Sequence, residues 1–260
     1  MIDIQNATKT YGDKTAVSDF TAHVESGKIT GFIGPNGAGK TTLIRMITGV
    51  LKPDAGSVTL DGKNIQTQPL EAKRTFGFVP DSPDLLLRLT GREYADFMAD
   101  VYKVSLEERR ERLEKLAAEF EMTDALDTRM SDYSHGMRQK AIIIGALMSD
   151  PDIWILDEPM TGLDPGAAWI LKQKMKEHAS RGKTVFFSTH VLEVAEKLCD
   201  RILLINQGKL KYDGTLEQLQ EQYAAVASAT MEADITCHYD DEVRQYTLLC
   251  AYTPEASTVT

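Results

Sequence analysis

Apolar residues follow two alternating patterns along this chain. Short runs rich in β-branched residues, "KITGFIG" (28–34), "RTFGFVP" (74–80), "DIWILDE" (152–158), "TVFFST" (184–189) and "RILLIN" (201–206), are separated by longer segments of helical period. Most of these runs lack polar alternation, which predicts strands covered on both faces, and their alternation with helices predicts an α/β domain around a largely parallel sheet. The segments "IDIQNATKTY", "AVSDFTAHVES" and "GSVTLDGKNI" do alternate, so they predict a smaller antiparallel sheet beside the main one.

Between Gly91 and Met130 the pattern turns helical, with Leu106, Leu113, Leu116, Ala117 and Phe120 spaced as one apolar stripe opposite the charged "EERRER". This predicts an inserted helical lobe, about 91–150, whose charge run is a solvated face. Trp154 and Trp169 read as packing residues. From about Ala224 the composition shifts to a stretch with no motif and a weak two-strand pattern around "YDDEV". Two readings of that stretch are open, a small hairpin appendage and a frayed tail. The expected organisation is one domain over 1–223 and a short extension over 224–260.

With 260 residues, 42% of them hydrophobic and 26% charged, the chain can bury a sizeable core. A formal net charge of −10 disfavours general affinity for nucleic acid or anionic lipid, since both attract a positive field. The three cysteines, Cys199, Cys237 and Cys250, form no CxxC pair and no zinc spacing, so neither a disulfide framework nor a structural metal is expected. The opening "MIDIQNATKTYGDKT" lacks the basic start and apolar core of a secretory signal, and the longest apolar run is "AIIIGALM" at 141–148. That run is far short of the roughly 20 residues that cross a bilayer. A cytoplasmic chain is expected, with any membrane role borrowed from another protein.

The densest chemistry lies in "GPNGAGKTT". Gly34, Gly39, Lys40 and Thr41 satisfy G-x-x-x-x-G-K-[ST], after a predicted strand and before the helical "TTLIRMITG", the context in which this pattern becomes a phosphate site. Its glycines let backbone N–H groups crowd around an anion, and the helix N-terminus adds its positive dipole end. Lys40 would neutralise the terminal phosphates, and Thr41 would offer a hydroxyl to Mg²⁺. A nucleotide site also needs a carboxylate for the metal, and Asp157 ends the apolar strand "IWIL", where it can reach the cation through water. Glu158 follows. Two adjacent acids at the end of a buried strand are costly unless they face a cation or a polarised water, which makes Glu158 the natural general base. No N-K-x-D element is present, so adenine is expected rather than guanine.

With these residues in hand, the chain resembles the nucleotide-binding subunit of the ATP-binding cassette (ABC) family over about residues 2–223, its main motifs standing in the family's order. The resemblance implies an α/β fold with a P-loop NTPase core, an antiparallel β subdomain and an inserted α-helical subdomain. It implies that Gly34, Pro35, Asn36, Gly37, Ala38, Gly39, Lys40, Thr41 and Thr42 form the Walker A loop, and that "IWILDEP" is the Walker B strand with catalytic Glu158. "TGLDP" is similar to the family's D-loop, carried by Asp164, His190 in "STH" takes the switch-histidine place, and Tyr11 stands where an aromatic stacks on adenine.

Two departures stand out. The signature segment reads Tyr133, Ser134, His135, Gly136, Met137 instead of L-S-G-G-Q, keeping Ser134 and Gly136, the positions that the family turns toward the nucleotide of a second subunit. Asp81, in "FGFVPDSPD", replaces the family's Q-loop glutamine. Its charge beside a γ-phosphate ~4 Å away would cost about 4 kcal/mol at an effective dielectric of ~20, so a cation must offset it. Asp81 is therefore read as facing Mg²⁺ through water or swinging in when the metal binds. The alternative is a turn cap with Ser82 and Pro83.

The resemblance further implies ATP and Mg²⁺ as cofactors and a pair of ATPase subunits, identical or not. Those subunits would dock at the cytoplasmic face beneath separate membrane-spanning permeases, with no nucleic-acid partner. "YSHGM" with an acidic Q-loop is most similar to subunits of ABC-2 type exporters, by analogy only. A soluble ABC ATPase acting on a cytoplasmic assembly shares the motifs. A tandem-cassette translation factor would need a second phosphate loop, a chromosome ATPase would need long coiled-coil arms between Lys40 and Asp157, and a P-loop kinase would lack "YSHGM" and "TGLDP".

Overall fold

A computed structural model describes residues 1–84 and 86–221, and the expected extension 224–260 lies outside them. Two sheets organise these residues. The smaller contains β1 (Ile2–Tyr11), β2 (Lys14–Val24), β4 (Ala55–Leu60) and β5 (Lys63–Asn64), in the order β2-β1-β4-β5 with every pairing antiparallel. Its alternating residues divide as period-2 patterning requires: Ile2, Ile4, Val58 and Leu60 are buried while their neighbours face out.

The larger sheet has the order β10-β9-β3-β8-β7-β6, from β3 (Ile29–Ile33), β6 (Phe76–Val79), β7 (Ile153–Leu156), β8 (Thr184–Thr189), β9 (Arg201–Asn206) and β10 (Lys209–Gly214). Its first five strands in chain order are parallel, and β10 is added antiparallel to β9 through the turn Gln207–Gly208, both residues at positive φ. The "NQGK" turn signal and the alternating "KLKYDG" mark this hairpin, although only β9 was expected from the apolar runs. Every residue of β3, β7 and β8 is buried. Burial of each large apolar side chain there contributes roughly 1.5–3 kcal/mol against exposure.

Helices α1 (Lys40–Ile47) and α2 (Pro69–Lys73) precede a group formed by α3 (Gly91–Val101), α4 (Leu106–Glu119) and α5 (His135–Leu147). Thr90 begins α3 with a reciprocal capping box to Glu93, and Ser105 caps α4. Helices α6 (Pro165–Ser180) and α7 (Leu192–Leu198) complete the core. Leu113, Leu116, Ala117 and Phe120 are buried with α3 and α5, whereas Leu106 is exposed, a correction to the expected stripe. Leu106 is the first helical residue after the Ser105 cap, where the helix has already passed the edge of the core. Trp154 is fully buried, but Trp169 is 62% exposed on α6, so only the first is a packing residue. Among the described residues no helix is long and apolar enough to cross a membrane.

Candidate active site

Parallel strands deliver their carboxyl ends to one edge of the sheet, and four adjacent ones do so here. β3 runs into the glycine-rich loop, β8 ends before His190, β7 before Asp157, and β6 two residues before Asp81. Together they bound a cleft of about 790 Å³.

The loop closes around its own backbone. A Cβ at Gly34 would run into the carbonyl oxygen of Ile205, and one at Gly39 would lie 2.5 Å from that of Ala16. Gly37 and Gly39 take φ of 77° and 110°, open only to glycine at no cost. Helix α1 therefore starts at Lys40 with no side-chain cap and no acid in its first turn, leaving its N–H groups and dipole free for an anion. Lys40 is 6% exposed and its ammonium turns back on the loop, donating to Gly34 O at 2.6 Å and Pro35 O at 3.3 Å. It also lies 3.3 Å from Glu158 Oε1, an ion pair without hydrogen-bond alignment.

Asp157 is buried, and burial raises its pKa above the ordinary carboxylate value, helped by the charges of Asp81 and Glu158 and opposed by hydrogen bonds from Ser188 and Thr41. Ser188 Oγ donates to Asp157 Oδ1 at 2.6 Å. Glu158 Oε2 lies 3.0 Å from His190 Nδ1. Asp81, Glu158 and the Thr41 hydroxyl thus line a cleft into which Lys40 also reaches, with the buried Asp157 hydrogen-bonded to Thr41 at its base. This donor set fits a hard divalent ion sharing its shell with water and phosphate. Among the described residues no group of three or more His, Cys, Asp or Glu side chains is arranged to hold a metal ion by itself, so water and phosphate would have to supply much of the shell. Asp81 lines the cleft.

Of the residues singled out from sequence, Tyr11, Asn36, Gly37, Gly39, Lys40, Thr41, Thr42, Asp81, Glu158 and His190 line the cleft. Tyr11 ends β1 half-exposed, with the Lys9 ammonium 5.8 Å from its ring centroid. Lys14, Thr15, Ala16, Thr161, Gln207 and Gly208 line it too and were missed. Lys14, Thr15 and Ala16 open β2, and Gln207 and Gly208 form the β9–β10 turn that folds onto the loop: Gly208 N–H donates to Ala38 O, and Ser18 N–H donates to Gly208 O, both at 2.9 Å. The turn composition of "YGDK" and "NQGK" hints at the residues beside those turns, and Thr161 lies in "TGLDP".

Ser134, Gly136 and Asp164 are not in this cleft. Ser134 is the exposed N-cap of α5, its hydroxyl accepting from Met137 N–H at 3.2 Å, and the first turn of α5 holds no acid. Gly136 and His135 lean on Gly162: a Cβ at Gly136 would lie 2.7 Å from Gly162 O, and the His135 ring occupies the place of a Gly162 Cβ. Asp164 caps α6 by accepting from Ala167 N–H at 2.8 Å and pairs with Lys140 at 3.0 Å, and these two contacts, the backbone one first, lower its pKa.

A glycine loop at a bare helix start, a buried carboxylate beside its hydroxyl, and a glutamate held by a histidine define a phosphate-loop nucleotide hydrolase. The family described as ABC transporter matches residues 17–161. The ABC transporter ATP-binding protein NatA of Bacillus subtilis (strain 168) is 37% identical over 226 residues, covering 85% of this chain and 92% of that protein. The Nod factor export ATP-binding protein I of Burkholderia orbicola (strain AU 1054) is 35% identical over 220 residues, 85% of this chain and 72% of that protein. A solved ATP-binding subunit of an ABC transporter superposes with a TM-score of 0.83 at 31% identity, covering 89% of this chain and 98% of that one. The dimeric ATP-binding cassette MJ0796, bound to ADP and Pi, superposes with a TM-score of 0.75 at 27% identity over 83% of this chain and 99% of that one.

The chain belongs to the ABC transporter family, as an ATP-binding subunit. It binds and hydrolyses ATP.

Proposed function

We propose that this subunit works in pairs, each ATP held between the phosphate cleft of one chain and the Ser134–Gly136 segment of another. Closing and reopening of the pair then drive a separate membrane-spanning permease at the cytoplasmic face, in the direction of export. The observation that carries this reading is the division of the site: the cleft holds the loop, Glu158 and His190, while Ser134 and Gly136 sit outside it at an uncapped-by-acid helix start suited to an anion. The dimeric arrangement of MJ0796 and the export function named for the Nod factor relatives support it.

In this reading Tyr11 stacks on adenine, and the backbone N–H groups from Gly34 to Thr42 cradle the phosphates. Lys40 leaves the carbonyls of Gly34 and Pro35 to neutralise the terminal phosphates. Thr41, Asp157 and Asp81 are the residues that would hold Mg²⁺, and the ion would neutralise charge developing on the phosphates. Glu158 accepts a proton from the attacking water while that oxygen bonds to the γ-phosphorus and the bond to the β-phosphate oxygen breaks, giving ADP and phosphate. His190 orients Glu158 through their hydrogen bond. Ser134, Gly136 and the partner-facing Asp164 complete the pocket from across the pair. Differential contact with the γ-phosphate separates the closed from the open state.

We place the permease helix in the groove around residues 80–100, a reading supported by the exposed apolar side chains of Leu86 and Phe97. Purification of the full chain from detergent extract tests this assignment: recovery of an integral membrane protein is expected, and recovery of only a soluble assembly would contradict it.

A further inference from the structure

Glu158 is held in a backbone conformation that it would not adopt unaided. Its φ is +46°, the left-handed region that is uncommon and energetically disfavoured for a non-glycine residue. The surroundings are visible. In β7 successive N–H groups point to alternate neighbours, and Asp157 N–H donates to Val79 O of β6 at 2.8 Å, so the next N–H, that of Glu158, faces β8. There it does not meet a main-chain carbonyl. It donates instead to the hydroxyl of Ser188 at 2.8 Å, and that same hydroxyl donates its proton to Asp157 Oδ1 at 2.6 Å. Ser188 is fully buried, so no water can take over either bond without a rearrangement.

We propose that Ser188 is a positioning residue for ATP hydrolysis, a single hydroxyl that clasps the two neighbouring acids of the site. By accepting from Glu158 N–H it holds the backbone turn that aims the Glu158 side chain into the cleft. By donating to Oδ1 it directs the rest of the Asp157 carboxylate toward Thr41. One hydroxyl suffices because the two bonds use different parts of it, a lone pair for the amide and the proton for the carboxylate. Alanine would leave a buried N–H and a buried carboxylate oxygen each short of one partner. The inference rests on the reading of Glu158 as general base, and concerns how that base is placed.

Three substitutions in the full-length chain test it. Ser188→Ala is expected to lower kcat about 10- to 100-fold, the size of a lost hydrogen bond to a charged group. Affinity for a fluorescent ATP analogue measured in EDTA, which reports the loop and Tyr11 without the metal, should stay within about twofold. Ser188→Thr keeps the hydroxyl and is expected to recover most of the rate, whereas Ser188→Val, with the same shape and no hydroxyl, is not. Wild-type turnover by Ser188→Ala would overturn the proposal, as would a loss of metal-free nucleotide affinity equal to the loss of rate, which is what general damage to the fold produces. The parent reading fails differently: undiminished hydrolysis by Glu158→Gln removes the general base itself. An inactive Glu158→Gln beside a fully active Ser188→Ala would sink the clasp alone.

Discussion

The phosphate loop and the signature segment both place glycines at the start of a helix whose first turn carries no acid, yet the two are built differently. Gly34–Lys40 is packed into the molecule, with glycine Cα atoms against the carbonyls of Ala16 and Ile205 and the lysine ammonium folded onto the loop. Ser134–Gly136 is at the surface, and its hydroxyl is occupied by its own helix. The first is enclosed by the fold around it, whereas the second has no such enclosure and, in the proposed pair, completes the cleft of another chain. The lesson is that similar local chemistry lies inside a cleft or on the open surface according to what the rest of the fold packs around it.

Substitutions at the two regions should separate accordingly. The largest effect belongs to Glu158→Gln, which is expected to lower turnover by about 10³-fold while nucleotide affinity is kept, and to leave a closed pair visible by gel filtration with ATP. Normal turnover would remove Glu158 from its role. Lys40→Ala should weaken ATP binding by single chains roughly 100-fold, measured by nucleotide titration at low protein concentration, because buried charge-assisted contacts to phosphate are lost. Ser134→Ala, at the other region, should leave that titration unchanged and instead lower the rate about tenfold. Equal loss of monomer affinity for both variants would erase the contrast.

Smaller effects concern the fold. Gly39→Ala combines φ of 110° with a methyl 2.5 Å from Ala16 O, and should cost about 2 kcal/mol or more, seen as a lower unfolding midpoint. These comparisons also need a pH at which the fold is sound. His178, buried against Trp154, has its pKa lowered to about 4, chiefly by burial and then by Lys183 and Arg181. The unfolded chain, with histidine near ~6.5, binds the proton more readily, so the stability due to neutral His178 is present above that value and lost as pH falls toward 4. Unfolding titrations should fall in that window, less so for His178→Leu.

Much of this was legible because it is local. The apolar runs of β3, β7 and β8 are buried on both faces and contiguous, so pattern alone marks them. Lys40 and Thr41 share one short motif, and Asp157 and Glu158 follow a strand. What escaped notice is assembled from distant turns: Gln207 and Gly208 reach the cleft because β10 folds back beside β9, and Ser188 meets Glu158 only because β8 lies next to β7. Helical spacing identified the face carrying Leu113 and Phe120 but not where the core ends, hence the exposed Leu106. Trp169 shows that an aromatic side chain carries no address of its own.

The shared pocket is tested most directly by mixing two crippled proteins. Lys40→Ala lacks the loop cation but keeps Ser134; Ser134→Ala has the reverse. Each alone is expected to hydrolyse ATP slowly. Combined, they form mixed pairs in which Lys40 of one chain meets Ser134 of the other, and the rate should rise well above the sum of the separate rates. A mixture no more active than that sum would contradict a nucleotide site divided between two chains.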